Sequence, residues 1–374
     1  MNCLETMPKK IHLWDVNGFV KISDSCRESL EYLIKKQSVR SLSKKLDVDK
    51  ETIYSIYSKG RKKESHSIRH LLKIANFLGF DIKALEKEVF YYGTIQNQMY
   101  KASFPFSLSP LLLRSIAIQG DGSFYHNPKK RIVNAEWYQL GNRIKFMEDL
   151  LKTVIAEYPV NSRIHSKCNN ISSISIPIHL IKLVCKSLDL ELEKYFSIDF
   201  FKKVAMLPTE YKIQVFFQFI VDEGTIKGTT LTVSQKKKWS RNGFKILLDS
   251  LNFDHSNPNN DKDDITIYNY NFPRILYYLK NAKKNYGNIA GLWFKEKKFI
   301  DGCKKMNPSH YPLIRKSMKI NKEIFKKVRM NNTTFCYQDI KNFGRAHSQA
   351  QKAIRCWKRN NLIQRIGWNR YKIL

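Results

Sequence analysis

Apolar and polar positions follow two different periods along this chain. Over 24–79 the spacing is helical, predicting one helix over 24–36, two within 38–60 and another over 68–79. Val39, Leu42 and Leu46 share one face, Val48 falls in a connecting turn, and Ile53, Ile56 and Tyr57 give the next helix its buried side. Asp49 stands where an N-cap belongs. From 107 to 291 helical and alternating stretches take turns. The apolar run LLLRSIAIQGDGSF (111–124) leads into the alternating SFYHN and IVNAEWYQL and the helical IKFMEDLLKTVIAEY. Strands around SRIHSKC and ISSISIPI follow, then the helical HLIKLVCKSLDLELEKYF. A second run, VFFQFIVDEGTI (215–226), opens the same order again with TIKG, TTLTVSQ, the helical NGFKILLDSLNF, the strand ITIYNYN and the helical FPRILYYLKNAKKNY. Each half reads helix-strand-strand-helix-strand-strand-helix. The prediction is an α+β fold whose pseudo-symmetric core duplicates an αββαββα unit, with repeats near 107–200 and 207–291.

In these strands Ile174, Ile176 and Ile178 alternate with Ser173 and Ser175, and Leu231 and Val233 with Thr230, Thr232 and Ser234. One face is expected to pack on helices and the other to stay polar and free. Beyond 313 the balance changes: 62 residues carry 16 Lys and Arg against 2 acids. Helices are predicted there over 322–328, 336–343 and 348–360, followed by the hairpin LIQRIGWNRYKIL turning at Gly367.

Charge narrows the partners. Lys and Arg number 66 against 33 Asp and Glu, a formal net charge of +33 on 374 residues, while the apolar share of 43% permits real cores. A surface of this sign attracts polyanions, nucleic acid first. Part of the lysine excess matches the Lys, Asn and Ile bias of an AT-rich genome. Seven scattered cysteines without a CxxC pair fit a reducing compartment. No eighteen-residue apolar stretch occurs, and MNCLETMPKK carries no signal-peptide core, so a soluble, cytoplasmic, nucleoid-associated chain is expected, with no membrane partner and no small-molecule substrate.

Asp121 and Glu223, 102 residues apart, each close an apolar run and are each followed by glycine. A carboxylate in the last turn of a helix faces the negative end of its dipole and costs a few tenths to about 1 kcal/mol. A divalent cation between two such ends would reverse that penalty.

On these residues the central region resembles a two-repeat LAGLIDADG homing endonuclease. The resemblance implies that the motif helices pack side by side, that Asp121 in RSIAIQGDG and Glu223 in FFQFIVDEG bind Mg2+ (or Mn2+), and that the carbonyls of Gly120 and Asp222 are further ligands. It implies cleavage of double-stranded DNA at a specific site by a monomer with internal pseudo-dimer symmetry, the polar sheet faces tracking the major groove. The sequence departs from the family pattern at Gln119 and Val221, where an acid is usual, and at Gln218 and Asp222, where small residues let the helices approach. Lys129, Lys130 and Arg131 in the first half, and Lys236, Lys237 and Lys238 in the second, are candidate phosphate contacts. Tyr268 and Tyr270 are either groove contacts or sheet packing.

Residues 24–79 resemble the helix-turn-helix of the Cro/C1-like repressors, with Ser43 and Asp47 where alanine and glycine are usual. Lys50, Glu51, Tyr54 and Ser55 then face outward from a recognition helix. The C-terminal order resembles a winged helix, with Ser348, Gln349, Gln351 and Lys352 opening the recognition helix and Arg365 and Arg370 on the wing. The expected domains are 1–92, 107–291 and 313–374. A regulator using the same scaffold without cleavage is the alternative, and an RNA-binding splicing helper also fits the charge.

Overall fold

Helices and small antiparallel sheets alternate through the computed structural model, which describes residues 5–57, 65–95, 98–126, 132–155, 162–165, 171–256, 264–305, 334–341, 351, 353–355, 357–358, 363–367 and 370–373. They divide after Gly302 into two compact units.

The first unit begins with β1 (Phe19–Ile22), α1 (Asp24–Lys35), α2 (Val39–Leu46), α3 (Lys50–Tyr57), β2 (His66–Ser67), α4 (Ile68–Phe77), α5 (Ile82–Lys87), β3 (Val89–Ile95) and β4 (Gln98–Lys101). Ser23 caps α1 by accepting from the Cys26 amide at 3.1 Å, and Asp49 caps α3 through the Thr52 amide and hydroxyl, each at 2.6 Å. Between α2 and α3 the chain turns through Asp47 at φ 50°, the left-handed region where glycine is easier. Leu42, Val48, Ile53 and Ile56 are buried beneath these helices. Ser55, expected to face outward, is only 3% exposed; its hydroxyl donates to the Thr52 carbonyl at 2.7 Å, which lets a polar residue enter the core. The helices are backed by an antiparallel sheet in the order β2-β1-β3-β4, which the helical pattern did not announce.

The same unit continues through α6 (Pro110–Ile116), β5 (Gly122–His126), β6 (Ile132–Leu140), α7 (Ile144–Val154), β7 (Ser162–His165), β8 (Ile171–Pro177), α8 (Ile178–Ser187), α9 (Ile198–Ala205) and α10 (Thr209–Glu223). It ends with β9 (Gly224–Lys227), β10 (Thr230–Ser234), α11 (Lys238–Ser250), β11 (Asp264–Ile267), α12 (Phe272–Tyr286) and α13 (Glu296–Lys305). The first sheet runs β5-β6-β8-β7 and the second β11-β10-β9, all neighbours antiparallel. Among the described residues the second sheet has three strands where four were expected, and residues 257–263 lie outside the described residues. The helix expected through HLIKLVCKSLDLELEKYF breaks instead after Ser187, at Asp189 with φ 51°. On β8, Ser173 is 2% exposed rather than free, whereas on β10 Thr230, Thr232 and Ser234 do alternate outward with the buried Leu231 and Val233.

The N-terminal elements are continuous with this core. Ile11 bridges Phe106, Lys9 donates its amide to the Ser187 carbonyl at 2.9 Å, and His179 on α8 stacks on Tyr100 of β4 with ring centroids 4.9 Å apart.

In the second unit β12 (Thr334–Cys336), the short helix Tyr337–Lys341, helical residues at 351, 353–355 and 357–358, and the strands β13 (Ile363–Gly367) and β14 (Arg370–Ile373) enclose Phe335, Ile340, Ala353, Ile354, Trp357 and Ile363. The sheet order is β12-β14-β13, so the expected hairpin carries a third strand.

Candidate active site

Two buried segments carry the acids. α10 is buried around its whole circumference, every residue from Tyr211 to Val221 being covered, with Lys212, Gln214 and Gln218 as the polar members of an otherwise apolar run. α6 starts on Ser109, whose hydroxyl accepts from the Leu112 amide at 3.2 Å, with Pro110 in its first turn. It packs against α10. The expectation that a helix runs on to Asp121 needs correction, because α6 stops at Ile116. There the Ile116 carbonyl is taken by the hydroxyl of the buried Tyr195 and by the Ile118 amide at 2.8 Å, and Ala117 leaves helical geometry at ψ 58°. Residues 117–121 form a turn that carries Asp121 to the C-terminal end of α10.

Polar groups fill the seam between α6 and α10. Arg114, wholly buried on α6, donates to Gln214 at 3.2 Å, Gln218 at 3.4 Å and the Gly291 carbonyl at 2.7 Å, and lies over the Trp293 ring at 4.4 Å. Burial pushes its pKa down to about 9 against the opposing pull of Asp222 and Glu296. Close approach is concentrated at Gly120, where an added Cβ would lie 2.6 Å from the Asp222 Cβ and 3.0 Å from the Glu223 Cγ. The glycines after the acids also serve space rather than left-handed backbone. Gly224 is extended at φ −76°, and a Cβ at Gly122 or Gly224 would fall 2.4 Å or 2.5 Å from the carbonyl four residues back.

Each acid has an amide donor from the strand region that follows it. Gln139, near the end of β6, donates to Asp121 Oδ2, and Gln235, just past β10, donates to Glu223 Oε1 at 2.6 Å. Burial and then the charge of Glu223 push the Asp121 carboxyl up to about 7, while Lys295, Lys237 and the Gln139 amide pull it back. Burial likewise raises Glu223, opposed by Lys295, Gln235 and Lys237. Asp222 keeps part of its surface in water but turns its carboxyl inward. Its Oδ1 accepts from Trp137 Nε1 at 3.0 Å and from Gln218 Nε2 at 2.9 Å, its Oδ2 has no hydrogen-bond partner, and its pKa stands well above the carboxylate range through burial and the charge of Asp121.

Lys295, which the sequence reading did not single out, completes the cluster. Its Nζ donates to the carbonyls of Ile220 at 2.8 Å, Asp222 at 3.4 Å and Gly224 at 2.6 Å, serving groups that a helix C-terminus leaves open. Burial lowers its pKa to about 8 in spite of Asp222, Asp121 and Glu223.

The remaining candidates divide. Lys237 brings its charge to both acids, and its backbone amide donates to Gln235 Oε1 at 2.9 Å. Lys236 and Lys238 are exposed beside it, and the Ser234 hydroxyl donates to Asp264 at 2.5 Å. Lys50 is exposed and Tyr54 half-buried on α3, well away in the chain from the acids. Arg365 and Arg370 are exposed on β13 and β14. Tyr268 and Tyr270 stack on each other and are 38% and 37% exposed. Lys129, Lys130, Arg131, Ser348, Gln349 and Lys352 lie outside the described residues, as does the helix expected over 322–328.

Among the described residues no group of three or more His, Cys, Asp or Glu could share a metal ion. Asp121 and Glu223 nonetheless offer the hard oxygen pair that suits Mg2+, which commonly takes one or two carboxylates and fills its shell with water and phosphate. The Asp222 carbonyl, expected as a ligand, already accepts from Lys295. No helix among the described residues is long and apolar enough to cross a membrane.

No family model and no curated protein matches the chain. Solved structures with a similar arrangement include the homing endonuclease I-DmoI in complex with DNA and Mn, at 12% identity and a TM-score of 0.33, covering 46% of this chain and 97% of that one. They also include the homing endonuclease I-WcaI bound to its DNA recognition sequence, at 15% identity and a TM-score of 0.33, covering 46% and 82%. Full-length DUF199/WhiA from Thermatoga maritima matches at 11% identity and a TM-score of 0.33, covering 67% and 93%.

Proposed function

We propose that the protein is a metal-dependent, site-specific endonuclease of double-stranded DNA, built on a duplicated LAGLIDADG-type core and flanked by helix-turn-helix and winged-helix modules. The observation that carries the reading is the meeting of Asp121 and Glu223 at the end of the α6–α10 seam, each acid tied by a glutamine and each followed by a glycine packed on the carbonyl four residues earlier. Asp121 and Glu223 would hold Mg2+ or Mn2+. When bound, the metal lowers the pKa of a coordinated water and neutralises phosphate charge. Gln139 and Gln235 fix the carboxylates, Lys237 and Lys295 keep positive charge beside them, and the alternating Thr230, Thr232 and Ser234 give the second sheet a polar face toward the bases. Lys236 and Lys238, with the charged C-terminal unit, supply contacts to phosphate.

The test is incubation with a randomised or genomic DNA pool in Mg2+, followed by sequencing of cleaved and bound molecules. One long cleaved site is expected, with cutting abolished and affinity kept in Asp121→Asn and Glu223→Gln. A sequence-specific regulator is the second reading, favoured by the capped α2–α3 pair and by Asp222, whose inward carboxyl stands well above its usual range. Enrichment of one bound sequence with no cleaved product in Mg2+ or Mn2+ would establish that reading instead.

A further inference from the structure

Three acidic residues in a cluster would repel one another at the end of a helix that itself carries negative charge. α10 ends on Asp222 and Glu223, the turn after α6 adds Asp121, and the last-turn carbonyls point the same way. What offsets this comes from far along the chain. The segment after α12 makes one tight helical turn at Trp293–Lys295, and its position is fixed on both sides. Arg114 holds the Gly291 carbonyl, Trp293 stacks on Phe146 with centroids 5.7 Å apart, and Glu296 accepts from the Leu292 amide at 3.2 Å and from Lys283 at 2.5 Å. The segment therefore delivers the Lys295 ammonium to three carbonyls of α10 within hydrogen-bonding distance. Among the described residues Lys295 forms no close ion pair with a carboxylate, and its charge opposes the rise of both the Asp121 and the Glu223 carboxyl.

We propose that Lys295 is a resident counter-charge that holds Asp121 and Glu223 side by side while no divalent cation is bound. This rests on the endonuclease reading for its purpose, but its physical content concerns the cation-free protein. A lysine that merely caps α10 would stabilise the helix whatever the charge on Glu223. A counter-charge would lose most of its value once Glu223 is neutral or once a divalent cation takes its place.

The experiment is thermal unfolding of the full chain in EDTA and in Ca2+, for wild type, Lys295→Met, Lys295→Arg, Glu223→Gln and the Lys295→Met/Glu223→Gln double variant. Lys295→Met is expected to lower the Tm in EDTA, Glu223→Gln to recover at least half of that loss in the double variant, and Lys295→Arg to stay near wild type. Ca2+ is expected to raise the Tm of Lys295→Met more than that of wild type. If Lys295→Met does not fold, folding of the double variant supports the proposal and failure of both overturns it. Equal losses with and without Glu223→Gln would overturn it by reducing Lys295 to a helix cap. A wild type indifferent to Ca2+ but showing the Glu223→Gln rescue would leave Lys295 in this role and remove support from the endonuclease reading.

Discussion

As the pH falls from 8 to 5, His179 should remove stability from the larger unit, while the raised carboxyls of Asp121, Asp222 and Glu223 act in the opposite direction. The imidazole is 3% exposed, stacked on Tyr100 and edge-on to Tyr92 at 6.0 Å, and burial followed by the charge of Lys182 pushes its pKa from 6.5 down to about 3. The folded protein thus holds the ring neutral, whereas the unfolded chain takes up a proton below pH 6.5. Its contribution is complete above that pH and is lost as the pH falls toward 3. At about 1.4 kcal/mol per pH unit, the loss is roughly 2 kcal/mol at pH 5 and roughly 4–5 kcal/mol near pH 3. Urea unfolding of wild type and His179→Phe at both pH values isolates this part, since every other titrating group is common to the two proteins. Phenylalanine keeps a ring against Tyr100. Wild type should lose about 2 kcal/mol more than the variant between pH 8 and pH 5. Equal losses would refute the claim that the ring is held neutral by the seam between the N-terminal sheet and α8.

Gly120→Ala places a methyl 2.6 Å from the Asp222 Cβ, and denaturant titration should show a loss of about 1–3 kcal/mol with cleavage falling alongside it. Arg114→Met strands Gln214, Gln218 and the Gly291 carbonyl, so it should cost about 3–5 kcal/mol, while adding Gln214→Leu, which leaves the Gln218 bond to Asp222 in place, should recover part of it in the same assay. Duplex affinity measured against salt should fall by about 0.9 log units per log unit of salt for each phosphate contact, and a flat response would contradict the meaning given to the net charge of +33.

How much of this was legible depended on the range over which each feature is decided. The acids, their glycines and most strands were visible because alternation and helical spacing are local. Gln139 and Gln235 were not singled out, although aligning WYQ with VSQ places both near the end of the second strand of each half. The end of α6 was not visible, because LLLRSIAIQ contains no stop signal and the carbonyl at Ile116 is claimed by Tyr195, 79 residues away. Lys295 was one cation among 66 Lys and Arg, and only the path after α12 gives it a role. Ser55 misled because an amphipathic pattern counts a hydroxyl as outward, whereas Thr52 satisfies it within the helix. The N-terminal sheet escaped because β1, β2 and β4 are four, two and four residues long, too short for alternation to register, and the longer β3 reads VFYYGTI without a period of two.

The buried Arg114 also decides which helix α6 will accept as a neighbour. Laid against a second α6, it would meet another guanidinium out of reach of water, whereas α10 presents Gln214 and Gln218 as acceptors. α6 and α10 are therefore complementary rather than interchangeable.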